Sequence, residues 1–463
     1  MCPTIAVFGG AFNPPGRHHW AIAEALSRQF DRVVVVPSGP RPDKPSMQDV
    51  EPIHRAAMAD MAFRGLANVR VDLFDLEEGT FTRNHDLETR YAAEGEVWHV
   101  VGSDLVGGGS AGRSFIQTRW SRGEALWQEL RFAVFTRPGH PLIPLDRPPR
   151  SRLFDLNLAG SSADVRERLF RHEPVADRLD PRVAEYIDRY GLYRGRPPVR
   201  TAPLRLDPPR PLLVVDESNP QAGELAARLA GAQPAGPPNC ILVVGGDGTM
   251  LHAIRRHWRE RLPFIGINTG HRGFLLSGAA DFTAGWPSGP LVVRQAPLLH
   301  VEAVAPDGRV TTGVLAFNDA WVERCTGQTA WVEVRVGGEI RIPRLMGDGI
   351  LLATAAGSTA YARAMGATPV LFETPALVLV GSNVLEPPGW KAVMLALDSQ
   401  VVFRALEPGK RPVTAYADGV PLGEAAELRL RTSRIATAEL AFSPAHDMAE
   451  KIAQIQFPPV VRW

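Results

Sequence analysis

The sequence predicts a two-domain α/β protein, with an N-terminal doubly wound parallel sheet and a C-terminal α/β part followed by a β-rich part. Three observations carry this reading. Short apolar runs of strand length alternate with helical patterns, glycine-rich or polar turns sit at the carboxyl ends of those runs, and one proline-dense stretch divides the chain. At 463 residues the chain is also too long for a single core.

Taken in order, residues 5–8 (Ile-Ala-Val-Phe) read as a buried strand that ends at Gly9-Gly10. Residues 18–30 follow a helical period, with Ile22, Ala25, Leu26 and Phe30 on one face. Runs 33–36, 97–101 and 132–135 are further strands, ending at Pro37, at Gly102 and before Arg137-Pro138-Gly139. Ligands of such sheets bind beyond the carboxyl ends of the strands, which is where these glycines and polar residues lie. A helical segment at 183–193 closes the first domain, which spans 1–196. Residues 197–210 hold too much proline for a helix or a central strand and read as a stiff linker. The second domain, 211–463, restarts with a strand at 212–215. A strand at 241–244 then runs into Gly245-Gly246-Asp247-Gly248-Thr249 and a helix at 250–258. Strands at 301–304, 330–336, 401–405 and 428–430 make the remainder β-rich.

Composition narrows the function classes. A net charge of +1 removes the electrostatic argument for a nucleic-acid or membrane partner. Cys2, Cys240 and Cys325 are scattered and odd in number, so they build neither a disulfide framework nor a zinc site, and no protein metal ligand is assigned. No apolar stretch reaches membrane-spanning length, and the N-terminus shows no charged leader. A reducing cytoplasm is the expected compartment.

The glycine-rich turn at 245–249 carries chemistry. Glycines let a backbone approach phosphate oxygens, and the helix that follows presents free N–H groups and the positive end of its dipole. Asp247, held in that turn, could take the proton from a sugar hydroxyl during phosphoryl transfer. An ordinary Asp-Gly turn has the same residues. Asn268-Thr269-Gly270-His271-Arg272-Gly273-Phe274-Leu275 follows, then Phe317-Asn318-Asp319-Ala320, then Gly347-Asp348-Gly349 running on to Thr354-Ala355-Ala356-Gly357-Ser358-Thr359-Ala360-Tyr361, and finally Ala417-Asp418-Gly419. This ordered set resembles the NAD kinase family, from about residue 212 to the C-terminal region. The resemblance implies that Asp247 orients and deprotonates the ribose 2′-hydroxyl of NAD, and that Gly246, Gly248 and Thr249 shape the phosphate turn. It implies NAD contacts for Asn268, Asn318, Asp319 and Asp418. Ser358, Thr359 and Tyr361 would line the nucleotide pocket, with Gly357 permitting close approach. Mg²⁺ or Mn²⁺ would bridge the phosphates of the co-substrate ATP. Ala355 and Ala356 depart from the family's Pro and Thr, and Asp319 from its commoner Glu, which bears on the nucleotide and on ATP against polyphosphate as donor.

In the first domain, Phe8-Gly9-Gly10-Ala11-Phe12-Asn13-Pro14-Pro15 follows the first strand, and Pro37 to Pro45 the second. His54-Arg55, Gly102-Ser103-Asp104, Arg137-Pro138-Gly139 and Gly160-Ser161-Ser162-Ala163-Asp164-Val165-Arg166 complete the series. It resembles nicotinate/nicotinamide mononucleotide adenylyltransferase over about residues 4–194. The resemblance implies that Gly9, Gly10, Phe12, Lys44, Asp104, Ser161, Ser162 and Arg166 surround ATP and the mononucleotide, with His19 catalytic. The family's His-x-Gly-His signature is Gly16-Arg17-His18-His19 here. Arg17 or His18 could replace the missing positive charge; equally, the domain could be an inactive nucleotide-binding or docking module.

Together the halves imply consecutive steps of pyridine-nucleotide biosynthesis in a homo-oligomer. NMN or nicotinate mononucleotide would be adenylylated and NAD phosphorylated to NADP. The alternatives are an NAD kinase with an inactive or sensory N-terminal domain, and a lipid kinase sharing the Gly-Gly-Asp-Gly-Thr turn. A membrane-binding stretch would favour the last, and none is present.

Overall fold

The computed structural model describes residues 2–41, 50–156, 160–231, 236–270, 273–283, 285–287 and 289–457. The chain divides into two compact units, Met1–Val199 and Arg200–Trp463. Among the described residues, no helix is long and apolar enough to cross a membrane.

The first unit is built on six parallel strands: β1 (Thr4–Gly10), β2 (Arg32–Pro37), β3 (Val69–Val71), β4 (Glu96–Gly102), β5 (Phe132–Phe135) and β6 (Ser151–Phe154). Their order is β3-β2-β1-β4-β5-β6. Successive side chains of a strand point to opposite faces, and both faces here are covered. Ala6, Phe8, Val33, Val35, Ala133 and Phe135 join one core with Leu26, Met58, Leu169 and Ile187 from helices. Ile5, Val7, Val34 and Val36 pack with Leu87 and Tyr91 on the opposite side. Being buried on both faces makes these strands read as unbroken apolar runs. The strand order reverses between β1 and β4, so their carboxyl ends, Gly9-Gly10 and Gly102, flank the crevice where such sheets bind ligands. The closing helix Pro181–Tyr190 has Asp180 as N-cap, Pro181 in its first turn, and Gly191 in the left-handed region at its end.

In the second unit, strands Pro211–Val215, Cys240–Gly245 and Phe264–Asn268 are parallel neighbours, with helices Pro220–Ala230 and Asp247–His257 between them in sequence. The same sheet continues through Glu427–Phe442, which lies parallel to Phe264–Asn268 and antiparallel to Leu291–Val304. It runs on through Val401–Ala405, Ala330–Val336 and Glu339–Gly347. A separate six-stranded sheet is antiparallel throughout, with Asp319–Arg324 between Gly349–Ala353 and Val413–Ala417. This is an α/β part followed by a β-rich part. Within the stretch read as linker, Thr201–Leu204 forms a strand against Leu291–Val304. It pairs on one side only, where a proline such as Pro203 is tolerated.

Candidate functional site

The strand Cys240–Gly245 is buried along its whole length. At its end a β-carbon on Gly245 would lie 2.5 Å from Thr249 Oγ1, so the first turn of the next helix closes only over glycine. Gly246 is the extended N-cap and Asp247 the first helical residue. A β-carbon on Gly246 or Gly248 would meet nothing within 4 Å, so this backbone is bare toward open space. The Asp247 carboxylate is half-buried and accepts hydrogen bonds from the N–H groups of Phe274 (3.1 and 3.0 Å) and Leu275 (3.0 Å). Burial raises its pKa; the two amides and the Lys451 ammonium oppose that shift. Lys451, on the helix Met448–Gln456, donates to the carbonyls of Gly273 (2.8 Å) and Leu276 (2.9 Å). The 273–276 turn is therefore gripped by its carbonyls from one side and by its amides from the other. Asn268, expected to contact NAD, accepts from the N–H of Gly270 at 3.0 Å and shapes the preceding turn.

Met250 and Ile254 of the helix Asp247–His257 share one core with Leu275, Leu276, Phe317, Ala356 and Met448, which brings the separate motifs together. Asp418 sits in the left-handed region (φ 46°), followed by Gly419 (φ 79°). These two residues join the paired strands Val413–Ala417 and Val420–Glu424, the two-residue hairpin for which Asp-Gly is suited. The Asp418 carboxylate accepts from the N–H groups of Phe317 (2.8 Å), Asn318 (2.8 Å) and Asp319 (3.3 Å). Expected to contact NAD, it instead clips residues 317–319 into place. Asn318 and Asp319 are 7% and 3% exposed, yet Asn318 Oδ1 and Asp319 Oδ2 have no hydrogen-bond partner among the described residues. Buried polar atoms without partners are rare, and a ligand is one standard explanation.

Burial, and then the neighbouring Asp418, push the Asp319 carboxyl up to about 8. Asp418 is also raised by burial, but its three amide donors hold the negative charge, so Asp319 is the protonated member of the pair near neutrality. An acid whose folded pKa lies above its unfolded value favours folding at low pH and loses that contribution as pH rises toward the folded pKa. The limiting slope is about 1.4 kcal/mol per pH unit. Asp319→Asn fixes the neutral form. Its melting temperature, measured against the wild type from pH 5 to pH 8, is expected to gain steadily; parallel curves would contradict the raised pKa.

The segment 354–361 departs from expectation. Ser358 is 0% exposed; its hydroxyl donates to the Ala355 carbonyl (2.7 Å) and accepts from Val370 N–H (3.0 Å). Its hydroxyl is thus sealed against the protein's own backbone. A β-carbon on Gly357 would fall 2.0 Å from the Asn318 carbonyl oxygen, so the close approach served by this glycine is that of the protein's own backbone. Thr359 donates to the Ala356 carbonyl (3.1 Å) and stays half-buried. Tyr361 is exposed, its ring 5.0 Å from Trp321, which stacks on Tyr416 at 4.8 Å. Burial, and then the Glu323 carboxylate, raise the Tyr361 pKa. A cavity of about 60 Å³, walled by Arg294, Thr354, Ala355, Phe372 and Glu373 among others, excludes Asp247 and holds a few waters at most.

In the first unit the loop after β1 is held by side chains from two helices, Pro52–Ala62 and Ser162–Phe170. Arg55 donates to the Ala11 carbonyl (2.6 Å), Ser162 to that of Pro14 (2.8 Å) and Arg166 to that of Asn13 (2.7 Å). Ser162 and Arg166, expected at the phosphates, are thus engaged with the loop. Phe12 is core, edge-on to Phe8 and Phe63, rather than a ligand contact. A β-carbon on Gly9 would meet nothing within 4 Å, while one on Gly10 would abut the Phe12 ring. Ser161 caps its helix by accepting from Ala163 N–H (3.1 Å). Asp104 pairs with Arg137 at 3.0 Å, and its buried Oδ1 has no hydrogen-bond partner among the described residues. Arg17 Nε donates to the Leu179 carbonyl (3.0 Å). His18 does not supply the expected cation: burial, then Arg137 and Arg178, push its pKa down to about 4. His19 is driven well below its ordinary value by burial, His18 and Arg137. Lys44 lies outside the described residues.

Sequence reading missed Lys451, Trp321 and Arg178 as members of these sites, and placed Arg137 in the N-terminal series without a role. Trp321 was within reach, since it shares a strand face with Asp319 two positions earlier.

The ATP-NAD kinase N-terminal domain model matches residues 235–281, and the Cytidylyltransferase-like model matches 7–168. An NAD kinase of Xanthomonas campestris pv. campestris (strain 8004) is 33% identical over 218 residues, 47% of this chain and 84% of that protein. One from Caulobacter vibrioides is 31% identical over 242 residues, 51% and 92% of the two chains. A crystal structure of an NAD kinase from Archaeoglobus fulgidus in complex with ATP covers 53% of this chain and 96% of that one, at 22% identity and a TM-score of 0.38.

Proposed function

The chain belongs to the NAD kinase family through its second unit and carries a cytidylyltransferase-like region ahead of it, and from that premise we propose a bifunctional enzyme of NAD(P) biosynthesis. The observation that carries the kinase reading is Asp247: a carboxylate on the first turn of a helix, locked by two amides, beside bare glycine backbone. In this reading the 2′-oxygen of NAD bonds to the γ-phosphorus of ATP while Asp247 takes the hydroxyl proton. The bond from the γ-phosphorus to the β–γ bridging oxygen breaks, and ADP leaves with the electron pair. The unpartnered oxygens of Asn318 and Asp319 bind NAD, and Tyr361 with Trp321 forms an apolar wall beside them. The open space above Gly246 and Gly248 fits phosphates that carry their own Mg²⁺ or Mn²⁺. That ion would neutralise developing charge on the phosphates.

For the first unit the proposed reaction is adenylyl transfer. A phosphate oxygen of NMN or nicotinate mononucleotide bonds to the α-phosphorus of ATP, and pyrophosphate leaves with the electron pair of the broken bond. No strong base is needed, because the nucleophile is already anionic, so positioning and cations suffice. The second reading, an NAD kinase with an inactive nucleotide-binding N-terminal unit, is favoured by Gly16 standing where the adenylyltransferase signature has histidine. A cytoplasmic homo-oligomer belongs to the proposal.

The test is to supply the whole protein with NMN, ATP and Mg²⁺ and to follow pyrophosphate, NAD and NADP over time. NAD appearing first and NADP after it is the expected result. NADP formed from added NAD, but never from NMN or from nicotinate mononucleotide with an amidating enzyme present, would establish the second reading.

A further inference from the structure

The helix Met448–Gln456 is tied to the rest of the second unit along its length. Its N-cap, Asp447, accepts from Glu450 N–H at 3.0 Å. Met448 and Ile452, one turn apart, are buried in the core that also holds Met250 and Ile254 of the helix begun by Asp247. At the far end the Ile455 carbonyl accepts from Arg363 (3.5 Å), and Gln456 donates to the Pro369 carbonyl (3.3 Å). Lys451 is thereby fixed over the 273–276 turn.

The polarity of that turn is ordered. Its outer carbonyls, of Gly273 and Leu276, accept from the Lys451 ammonium at 2.8 and 2.9 Å. Its inner amides, of Phe274 and Leu275, donate to the Asp247 carboxylate. The Gly273 carbonyl and the Phe274 N–H belong to one peptide group. Cation and carboxylate are therefore joined through a single peptide, with the ammonium on its oxygen and the anion on its N–H. Hydrogen bonds chained in this way polarise and strengthen one another. A neutral donor could pin the turn, but only a cation also acts on the charge of Asp247. Burial lowers the Lys451 pKa, and Asp247 and Asp281 oppose that shift. Asp281, in the turn Ala279–Phe282, accepts from the Ser443 hydroxyl at 2.6 Å. His446, the titratable ring before the helix, stacks on Phe442 and is pushed down to about 4 by burial, then by Lys451 and Arg294, so it stays neutral.

We infer that Lys451 is a positioning residue for phosphoryl transfer: through the Gly273–Phe274 peptide it aims the Asp247 carboxylate and supports its negative charge. This rests on the kinase reading of Asp247, and the test separates the two. Whole protein is given NAD, ATP and Mg²⁺, and NADP formation is followed across pH, with a thermal melt for each variant. Lys451→Met keeps the stem and removes the ammonium. It is expected to lose roughly 10–100-fold in kcat, with KM for NAD and for ATP within threefold of wild type. Its acid limb should move to higher pH, because the carboxylate has lost a nearby cation. Lys451→Arg should recover to within tenfold of wild type and bring the limb back. In an Asp247→Asn background, Lys451→Met should cost less than threefold, since a residue acting through the base has nothing left to act on. Should Lys451→Met show no cooperative melt, Lys451→Gln, uncharged but still a donor, takes its place in the same comparison. A kcat within threefold of wild type, an acid limb coincident with that of wild type, or an equal loss in both backgrounds would each overturn the inference and leave the kinase reading standing. Wild type that forms no NADP from NAD would overturn that reading, and the inference with it.

Discussion

Asp247→Asn is expected to cut NADP formation by roughly 10²–10⁴-fold, the range that a positioned general base supplies. Asparagine keeps the shape of the side chain, and its oxygen can still accept from Phe274 and Leu275. Its NH₂ group, however, meets the Phe274 N–H where Asp247 Oδ2 now accepts at 3.0 Å. One hydrogen bond is lost, about 1 kcal/mol, together with about 0.3–1 kcal/mol of charge–dipole interaction at the helix N-terminus. A domain of this size should then melt a few degrees lower and still fold. The wild-type rate should fall as the pH drops through the raised Asp247 pKa, because the protonated acid accepts no proton. The variant should lack that limb. A coupled NADP assay across pH, paired with thermal melts, checks each part. Turnover within tenfold of wild type would show that another group takes the proton.

Gly357→Ala should be the most damaging single methyl group in the second unit. The added carbon would stand 2.0 Å from the Asn318 carbonyl oxygen and 2.8 Å from Asn318 Cα. Neither neighbour is the end of a flexible side chain, so the backbone of 317–319 must move. That movement strains the three amide contacts to Asp418 and the hydrogen bonds from Thr354 to Phe317 and Asn318. A loss of about 3 kcal/mol is expected, at the upper end for overpacking. That corresponds to roughly 6–12 °C in melting temperature. Any protein that still folds should show a raised KM for NAD, since Asn318 and Asp319 are displaced. Gly248→Ala is the contrast. Nothing lies within 4 Å of its new carbon, and alanine suits a helix better by about 0.5–1 kcal/mol. It should leave stability equal or higher while raising the KM for the nucleotide whose phosphates approach that turn. Equal melting temperatures for the two variants would refute the packing argument at 357.

The architecture was largely legible because fully buried strands are written as apolar runs. Phe132–Phe135, Ala330–Val336 and Val401–Ala405 fall where periodicity places them. The Asp247 turn was legible for a similar reason, since consecutive glycines between a strand and a helix leave few alternatives. Side-chain direction was not. Ser358, Phe12 and Asp418 sit inside motifs, and the motif alone does not say whether a hydroxyl, a ring or a carboxylate faces a ligand or its own backbone. Lys451 was invisible because its partner Gly273 lies 178 positions away, and only the folded chain joins them. The protonation of His18 was equally hidden, because burial and neighbouring charge, which set it, are properties of the fold.

The strands Leu291–Val304 and Glu427–Phe442, of 14 and 16 residues, pair on both sides of a register shift between Pro297 and Leu299 and run from the parallel part of their sheet into its antiparallel part. Two ladders, one on each side of that irregularity, tie the part of the sheet bearing Asp247 to the part they enter. For the same reason the second unit should come apart in a single cooperative step.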